Sequence, residues 1–286
     1  MKKIGFIDFY LDEWHANNYP AWIREASNGE MKVAYAYGMI DSPRGGLTSA
    51  AWCEQNGIER CMSVEEITEK SDCLIVLSPD NCEMHEGLCQ IPLRSGKPVY
   101  VDKTFAPDYA TAARIFAVAE QSGTPCYSTS ALRFAKEYAD IDPAKVKAIS
   151  TFGPDDPDTY SIHQLEPILM LMKAPVQQVL FTGDDSWYTV LLRFADGRHG
   201  SLSGFMGGSP FITNIQMEGG PRCLTVASDF FHEFIVQLVE FFRTAEVKVP
   251  HEETLRIMAV RGAMLLAQKT PGVWVNVNGG TAAQSK

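Results

Sequence analysis

Ile4-Gly5-Phe6-Ile7 runs straight into Asp8-Phe9-Tyr10-Leu11-Asp12-Glu13-Trp14-His15. The first four residues read as a compact apolar strand. The turn after them leads to a helical pattern over residues 16–27, closed by Asn28-Gly29, a helix stop. This strand–turn–helix unit recurs. Residues 32–37 (KVAYAY) read as the next strand, and residues 48–56 as a helix ending at Gly57. Ser63 with Glu66 three residues on makes a capping box and opens a helix that runs to Lys70. Residues 73–77 (CLIVL) are continuously apolar, the pattern of a strand buried on both faces. A helix over 85–94, a strand over 98–101, a long helix over 107–122 and a strand beginning at 125–127 complete the series. Repeated strand–helix units with continuous apolar strands predict a parallel sheet with helices on both faces.

Beyond this point the pattern changes. Residues 145–152, 176–182, 187–194, 198–205 and 211–218 read as strands, with Asp196-Gly197 as a hairpin turn. An apolar helix covers 161–172, and long helices cover 230–243 and 252–268. Hairpin strands followed by helices indicate an α+β domain with a mainly antiparallel sheet. The fold class expected is therefore α/β, an N-terminal doubly wound domain (residues 1–125) plus a C-terminal α+β domain (126–278), with a loose tail at 279–286.

The 286 residues carry a formal net charge of -10. Such a chain repels nucleic acid and anionic membrane, so neither is an expected partner. Seven cysteines, an odd number without a Cys-x-x-Cys pair, suggest neither a disulfide framework nor a zinc knuckle. A reducing, cytoplasmic setting fits them. No stretch approaches the roughly 18 to 20 apolar residues of a membrane span, and Asp8 interrupts the opening run before it reaches signal length.

Several landmarks follow one another in order. Ser78-Pro79-Asp80-Asn81 lies after the buried strand, ahead of His85. Gly96-Lys97-Pro98-Val99-Tyr100-Val101-Asp102-Lys103-Thr104 comes next, then Leu132-Arg133-Phe134, then Ser161-Ile162-His163-Gln164-Leu165-Glu166. This order, over about residues 3 to 275, resembles the Gfo/Idh/MocA family of sugar and polyol dehydrogenases. That family carries a Gly-Lys-x-Val-x-x-Glu-Lys-Pro stretch and a Gly-x-His-x-x-Asp helix start. Asp102-Lys103-Thr104 is similar to its Glu-Lys-Pro, and His163 and Glu166 to its histidine and aspartate. The resemblance implies a Rossmann-like nucleotide-binding domain, an NAD or NADP cofactor, a sugar-like small-molecule substrate and a homo-oligomer. It implies Lys103 and His163 as catalytic residues. Asp8, Tyr10, Leu11, Ser78, Asp80, Asn81, His85 and Asp102 would lie at the cofactor. Trp14, His15, Tyr160 and Glu166 would lie at the substrate. No metal is expected. The chemistry is coherent. A lysine past the carboxyl end of a parallel strand stands where ligands bind and can stabilise a developing alkoxide, and a histidine can shuttle the proton. The family's aspartate four residues before the histidine is Thr159 here, with Asp158 one place off.

The departure lies in the opening stretch. Dinucleotide folds continue the first strand into Gly-x-Gly-x-x-Gly, whose glycines let the backbone approach a pyrophosphate. In the register set by Gly5, Asp8, Tyr10 and Glu13 replace those glycines. Three carboxylates (Asp8, Asp12, Glu13) face the place of two phosphates, although acids are also common in the first turn of a helix because of its dipole. The second strand ends at Tyr37-Gly38, with Asp41 as a weak substitute for the usual ribose-binding acid. An arginine or lysine from elsewhere, Arg44 in the loop Pro43-Arg44-Gly45-Gly46 for example, would have to meet the phosphates. The sequence therefore reads first as a divergent oxidoreductase lacking the glycine fingerprint. A cofactor-less sugar-binding or regulatory protein is the alternative. A metal-assisted isomerase or lyase using Asp12, Glu13, His15 and His163 is the second.

Overall fold

The computed structural model describes residues 1–277; residue 278 and the tail expected at 279–286 lie outside the described residues. The chain folds into two compact units. The first gathers residues 1–106, 111–129 and 232–251; the second gathers 107–110, 130–231 and the described chain from Glu252 onward. The sequence suggested one boundary at 125/126, whereas the folded chain passes between the units repeatedly.

The first unit runs β1 (Lys2–Asp8), α1 (Trp14–Ala26), β2 (Met31–Gly38), α2 (Ser49–Asn56), β3 (Glu59–Arg60), α3 (Val64–Lys70), β4 (Cys73–Val76), α4 (His85–Cys89), β5 (Val99–Val101), α5 (Tyr109–Ser122) and β6 (Cys126–Tyr127). Its six strands pair in the order β3-β2-β1-β4-β5-β6, all parallel. This is the doubly wound order, with its topological switch between β1 and β4. The apolar run of β4 explains its central place: each of Cys73, Leu74, Ile75 and Val76 is fully buried. Gly5 is required by packing, since a Cβ there would lie 2.4 Å from Ser71 Oγ and 2.8 Å from Ile67 Cγ1. The Ser63 cap forms as read, with its hydroxyl accepting the Glu66 N–H at 3.1 Å. The returning bond from the Glu66 carboxylate goes to the Met62 N–H instead (2.7 Å). The helix expected over 85–94 ends at Cys89, and a 3-10 turn resumes at Pro92, which has no N–H to continue a helix.

The second unit contains β7 (Val146–Pro154), α6 (Ser161–Met172), β8 (Val176–Gly183), β9 (Trp187–Phe194), β10 (His199–Phe205), β11 (Ile212–Met217) and β12 (Gly220–Thr225). Then come α7 (Phe230–Thr244), α8 (His251–Gln268) and β13 (Trp274–Asn276). The seven-stranded sheet has the order β12-β11-β7-β10-β9-β8-β13 and is antiparallel except for β7 with β10. Helix α6 packs on β7 and β10. Gln164 locks it there: its amide oxygen accepts from Thr151 Oγ1 (2.8 Å) and its nitrogen donates to the Ser203 carbonyl (3.1 Å). Residues 232–251, most of α7 included, belong to the first unit, where Phe234 packs its ring against Tyr19 and Tyr100. Among the described residues no helix is long and apolar enough to cross a membrane.

Candidate active site

In the second unit, the segment before α6 folds back on itself. The Asp156 carboxylate accepts the N–H groups of Asp158 and Thr159, at 2.8 and 2.9 Å. Asp158, the acid nearest the family's position, turns to Arg261, whose guanidinium also meets the carbonyls of Asp158 and Pro107. His163 meets a different residue: its Nδ1 lies 2.7 Å from the Ser130 hydroxyl. That hydroxyl also accepts the Leu132 N–H (3.2 Å), and the Ser130 N–H donates to Glu166 at 3.1 Å. Glu166 is buried and paired with Arg133 at 3.1 Å, and Arg133 also binds Glu253. Burial raises the Glu166 carboxyl, against the lowering pull of Arg133. The ring of His163 is flanked by Tyr160 (5.5 Å) and Phe211 (5.9 Å). Glu166, expected at the substrate, therefore supports the histidine's neighbour, and Tyr160 is the exposed member of the set at 38%. Ser130 escaped the sequence reading. A lone serine 33 residues before the histidine forms no local pattern.

In the first unit, the other expected residues gather along the carboxyl edge of the parallel sheet. Asp8, at the end of β1, is buried and accepts the Ser78 N–H at 3.0 Å. Burial, with the Glu13 charge added, raises its carboxyl well above the usual range. Tyr10 and Leu11 are both buried. The Tyr10 hydroxyl donates to Asp80 (3.1 Å), and its pKa is pushed up to about 12 by burial and by the Asp80 charge. Arg44 pairs with the same Asp80 at 3.0 Å. Ser78 takes a left-handed backbone (φ 70°) and donates its hydroxyl to the Asn81 carbonyl at 3.0 Å. Asn81 donates to Glu83 at 3.1 Å. Asp41 accepts the Ser49 N–H (2.7 Å) at the start of α2, whose N-cap is Thr48.

Glu13 is the N-cap of α1. Its carboxylate accepts the N–H groups of His15 (2.8 Å) and Ala16, and lies 2.9 Å from His15 Nδ1. His15 Nε2 lies 3.9 Å from Asp102 Oδ2, a buried oxygen with no hydrogen-bond partner. The Tyr100 hydroxyl stands 3.1 Å from Asp102 Oδ1 and 2.9 Å from the Thr129 carbonyl. Trp14 is half exposed and rests edge-on against His15 and Trp22. Lys103 lies two residues past the end of β5, after Asp102, and the Lys103–Thr104 peptide is cis. His85 is fully buried, its two ring nitrogens on the carbonyls of Leu77 and Phe105, and burial lowers its pKa. It ties the end of β4 to the stretch after Lys103, an anchoring role. Among the described residues no group of three or more histidine, cysteine or acidic side chains is placed to hold a metal ion.

No protein-family model and no curated protein sequence matches the chain. Solved structures match along its whole length. Myo-inositol dehydrogenase from Lactobacillus casei, in complex with NAD(H) and myo-inositol, is similar with a TM-score of 0.80 at 12% identity, over 100% of this chain and 98% of that one. A probable dehydrogenase from Thermotoga maritima has a TM-score of 0.77 at 13% identity, over 96% and 99%. Scyllo-inositol dehydrogenase from Lactobacillus casei, with NAD(H) and scyllo-inositol, has 0.75 at 14%, over 96% and 99%. The chain has the fold of these dehydrogenases.

A dehydrogenase fold of this order receives the pyrophosphate at the start of α1, on backbone N–H groups and the positive helix end. Here those donors are taken by the chain itself. Glu13 holds the first N–H groups of α1, and Asp8 holds that of Ser78. Asp12 accepts from the Leu47 N–H (2.8 Å) and from the Asn17 amide (3.1 Å), which draws the 41–47 loop over the turn. Gly46 is needed for that approach, since a Cβ would stand 2.3 Å from Asp12 Oδ2. These residues do not fit a pyrophosphate in its usual seat.

Proposed function

We propose that the chain is an oxidoreductase that exchanges hydride between NAD or NADP and a hydroxyl-bearing carbon of a sugar-like or polyol substrate, with the dinucleotide held without a glycine loop. The observation that carries this reading is the place of Lys103, two residues past the carboxyl end of β5 in a doubly wound parallel sheet, the edge at which such folds bind ligands. The inositol dehydrogenases of like fold support the substrate class. In this reading the Lys103 ammonium polarises the substrate oxygen and stabilises developing alkoxide. His163 accepts the hydroxyl proton, its ring oriented by Ser130. Trp14, His15 and Tyr160 contact the substrate, and Ser78, Asp80 and Asn81 border the cofactor. The protein is cytoplasmic, in keeping with the buried thiols of Cys53, Cys61, Cys73, Cys89 and Cys126. It forms a homo-oligomer through the sheet face that exposes Trp187, Leu191 and Phe205.

The test is a fluorescence titration with NADH and NADPH, followed by turnover with inositols and other polyols. Reduction of NAD or NADP that needs polyol, and is lost in K103A and H163A, is the expected result. Absence of cofactor binding at millimolar concentration sinks the reading. One observation favours a second reading, a polyol-binding protein without cofactor: Glu13 satisfies the α1 N–H groups on its own. A rise in melting temperature with polyol alone, unaffected by NADH, would select it.

A further inference from the structure

We infer that Glu13 is an internal occupant of the phosphate seat and sets the chain's affinity for dinucleotide: a pyrophosphate gains the N-terminus of α1 only by displacing the Glu13 carboxylate. The inference rests on the oxidoreductase reading for its choice of ligand, and it names the residue that controls that ligand's entry. A carboxylate presents two oxygens and a negative charge, much as one edge of a phosphate does. Glu13 spends both oxygens on the donors a phosphate would need, Oε1 on the Ala16 N–H and Oε2 on the His15 N–H and ring. Charge-assisted bonds of this kind are stronger than neutral ones, and the Glu13 side chain is only 6% exposed, so water does little to loosen them.

The surroundings hold the carboxylate in place. Its backbone is extended (φ -138°, ψ 169°), the N-cap conformation that turns the side chain back over the helix end. The Glu13 N–H donates to the Leu11 carbonyl at 2.9 Å, and the Asn17 N–H returns to the Glu13 carbonyl at 3.0 Å. Displacement by a pyrophosphate would therefore break the cap and leave a carboxylate beside the incoming phosphate, a like-charge contact. A glycine at this position leaves the same donors open.

The test measures NADH affinity by titration in the wild-type chain, in Glu13→Ser and in Glu13→Asp. Serine is a good N-cap but lacks the charge; aspartate keeps it. Expected is NADH binding at least tenfold tighter in Glu13→Ser than in wild type, competed away by inorganic pyrophosphate, with Glu13→Asp close to wild type. Equal affinity in wild type and Glu13→Ser, whether both tight or both undetectable, overturns the inference, as does Glu13→Asp binding as tightly as Glu13→Ser. Melting temperatures report folding, and Glu13→Asn takes over the test should the serine variant not fold. Polyol turnover is read separately. Tight NADH binding by Glu13→Ser without any polyol oxidation leaves the inference standing and removes the oxidoreductase reading. Polyol oxidation by a wild-type chain whose NADH affinity Glu13→Ser leaves unchanged does the reverse.

Discussion

Ser130 joins three partners through one side chain and one peptide: His163, Leu132 and Glu166. The Ser130 oxygen has two lone pairs: one accepts the Leu132 N–H, and the other accepts the His163 Nδ1–H in the tautomer that leaves Nε2 as the basic nitrogen, which orients the ring. S130A removes that orientation and leaves the substrate's contacts in place. Expected is a fall in kcat of roughly 10- to 100-fold with a shifted pH profile and little change in KM, read by steady-state polyol oxidation from pH 6 to 10. An unchanged kcat and profile would show that the serine only caps its turn. Asp8 gives a prediction about stability. Its carboxyl is raised in the folded state by burial first and by Glu13 second. The folded protein therefore holds a proton that the unfolded chain releases near its ordinary value of 3.8. Stability from this group is full below that value and falls by about 1.4 kcal/mol per pH unit above it, until the raised folded value is reached. D8N cannot ionise, so denaturation curves should show its stability rising relative to wild type as pH increases. Lys103 and His163 stood out in the sequence through the order of the motifs around them. Ser130 could not, because nothing local marks which serine will face a distant histidine. Glu13 was legible as an acid at a helix start, but the N–H groups it takes became visible only with the backbone in place.

At the scale of elements, the ion pairs behind α6 hold the segment that presents His163. Arg133 stands between Glu166 and Glu253, with 9%, 3% and 11% of these side chains exposed. Removing the arginine leaves the buried Glu166 carboxylate without its ion partner, while Glu253 keeps Lys173 at 3.3 Å, at a cost of about 3–5 kcal/mol. R133L should lower stability by that amount in urea denaturation, and R133L/E166L should recover part of it. The long elements were readable because their periodicity is strong: β4 and the helices around it lie within two residues of the expected positions, apart from the early end at Cys89. Three strands were not. β3 is two residues long and β13 three, and β12 begins Gly220-Pro221, a poor strand opening. Partners make them strands: β12 pairs along β11 from Met217–Gly220 to Ile212–Thr225. The face of α7 tells the same story. Phe234, Leu238, Phe241 and Phe242 mark one side as buried, yet the pattern of a helix does not say which unit it will bury that side against.

For the whole molecule, the open face of the second sheet is the feature that bears on assembly. Strand β9 buries Tyr188, Val190, Leu192 and Phe194 and turns Trp187 and Leu191 outward, each 40% exposed. If copies associate through this face, sedimentation should report a dimer or larger species, and L191K should shift it towards monomer without lowering the melting temperature by more than a few degrees. A wild-type chain that sediments as a monomer at tens of micromolar removes that part of the proposal.

By itself, the sequence determined the two kinds of sheet, the doubly wound order of the first unit and the stations of Lys103 and His163. These follow from local periodicity, from turn residues and from the spacing of motifs, all carried by neighbours along the chain. Tertiary structure alone decided that Glu13 takes the first N–H groups of α1, that Ser130 meets His163, and that residues 232–251 join the first unit. Each of these is a choice of partner between segments far apart in sequence. A buried donor or acceptor must be satisfied by whichever group the fold brings within reach, and that reach is not written in any one segment.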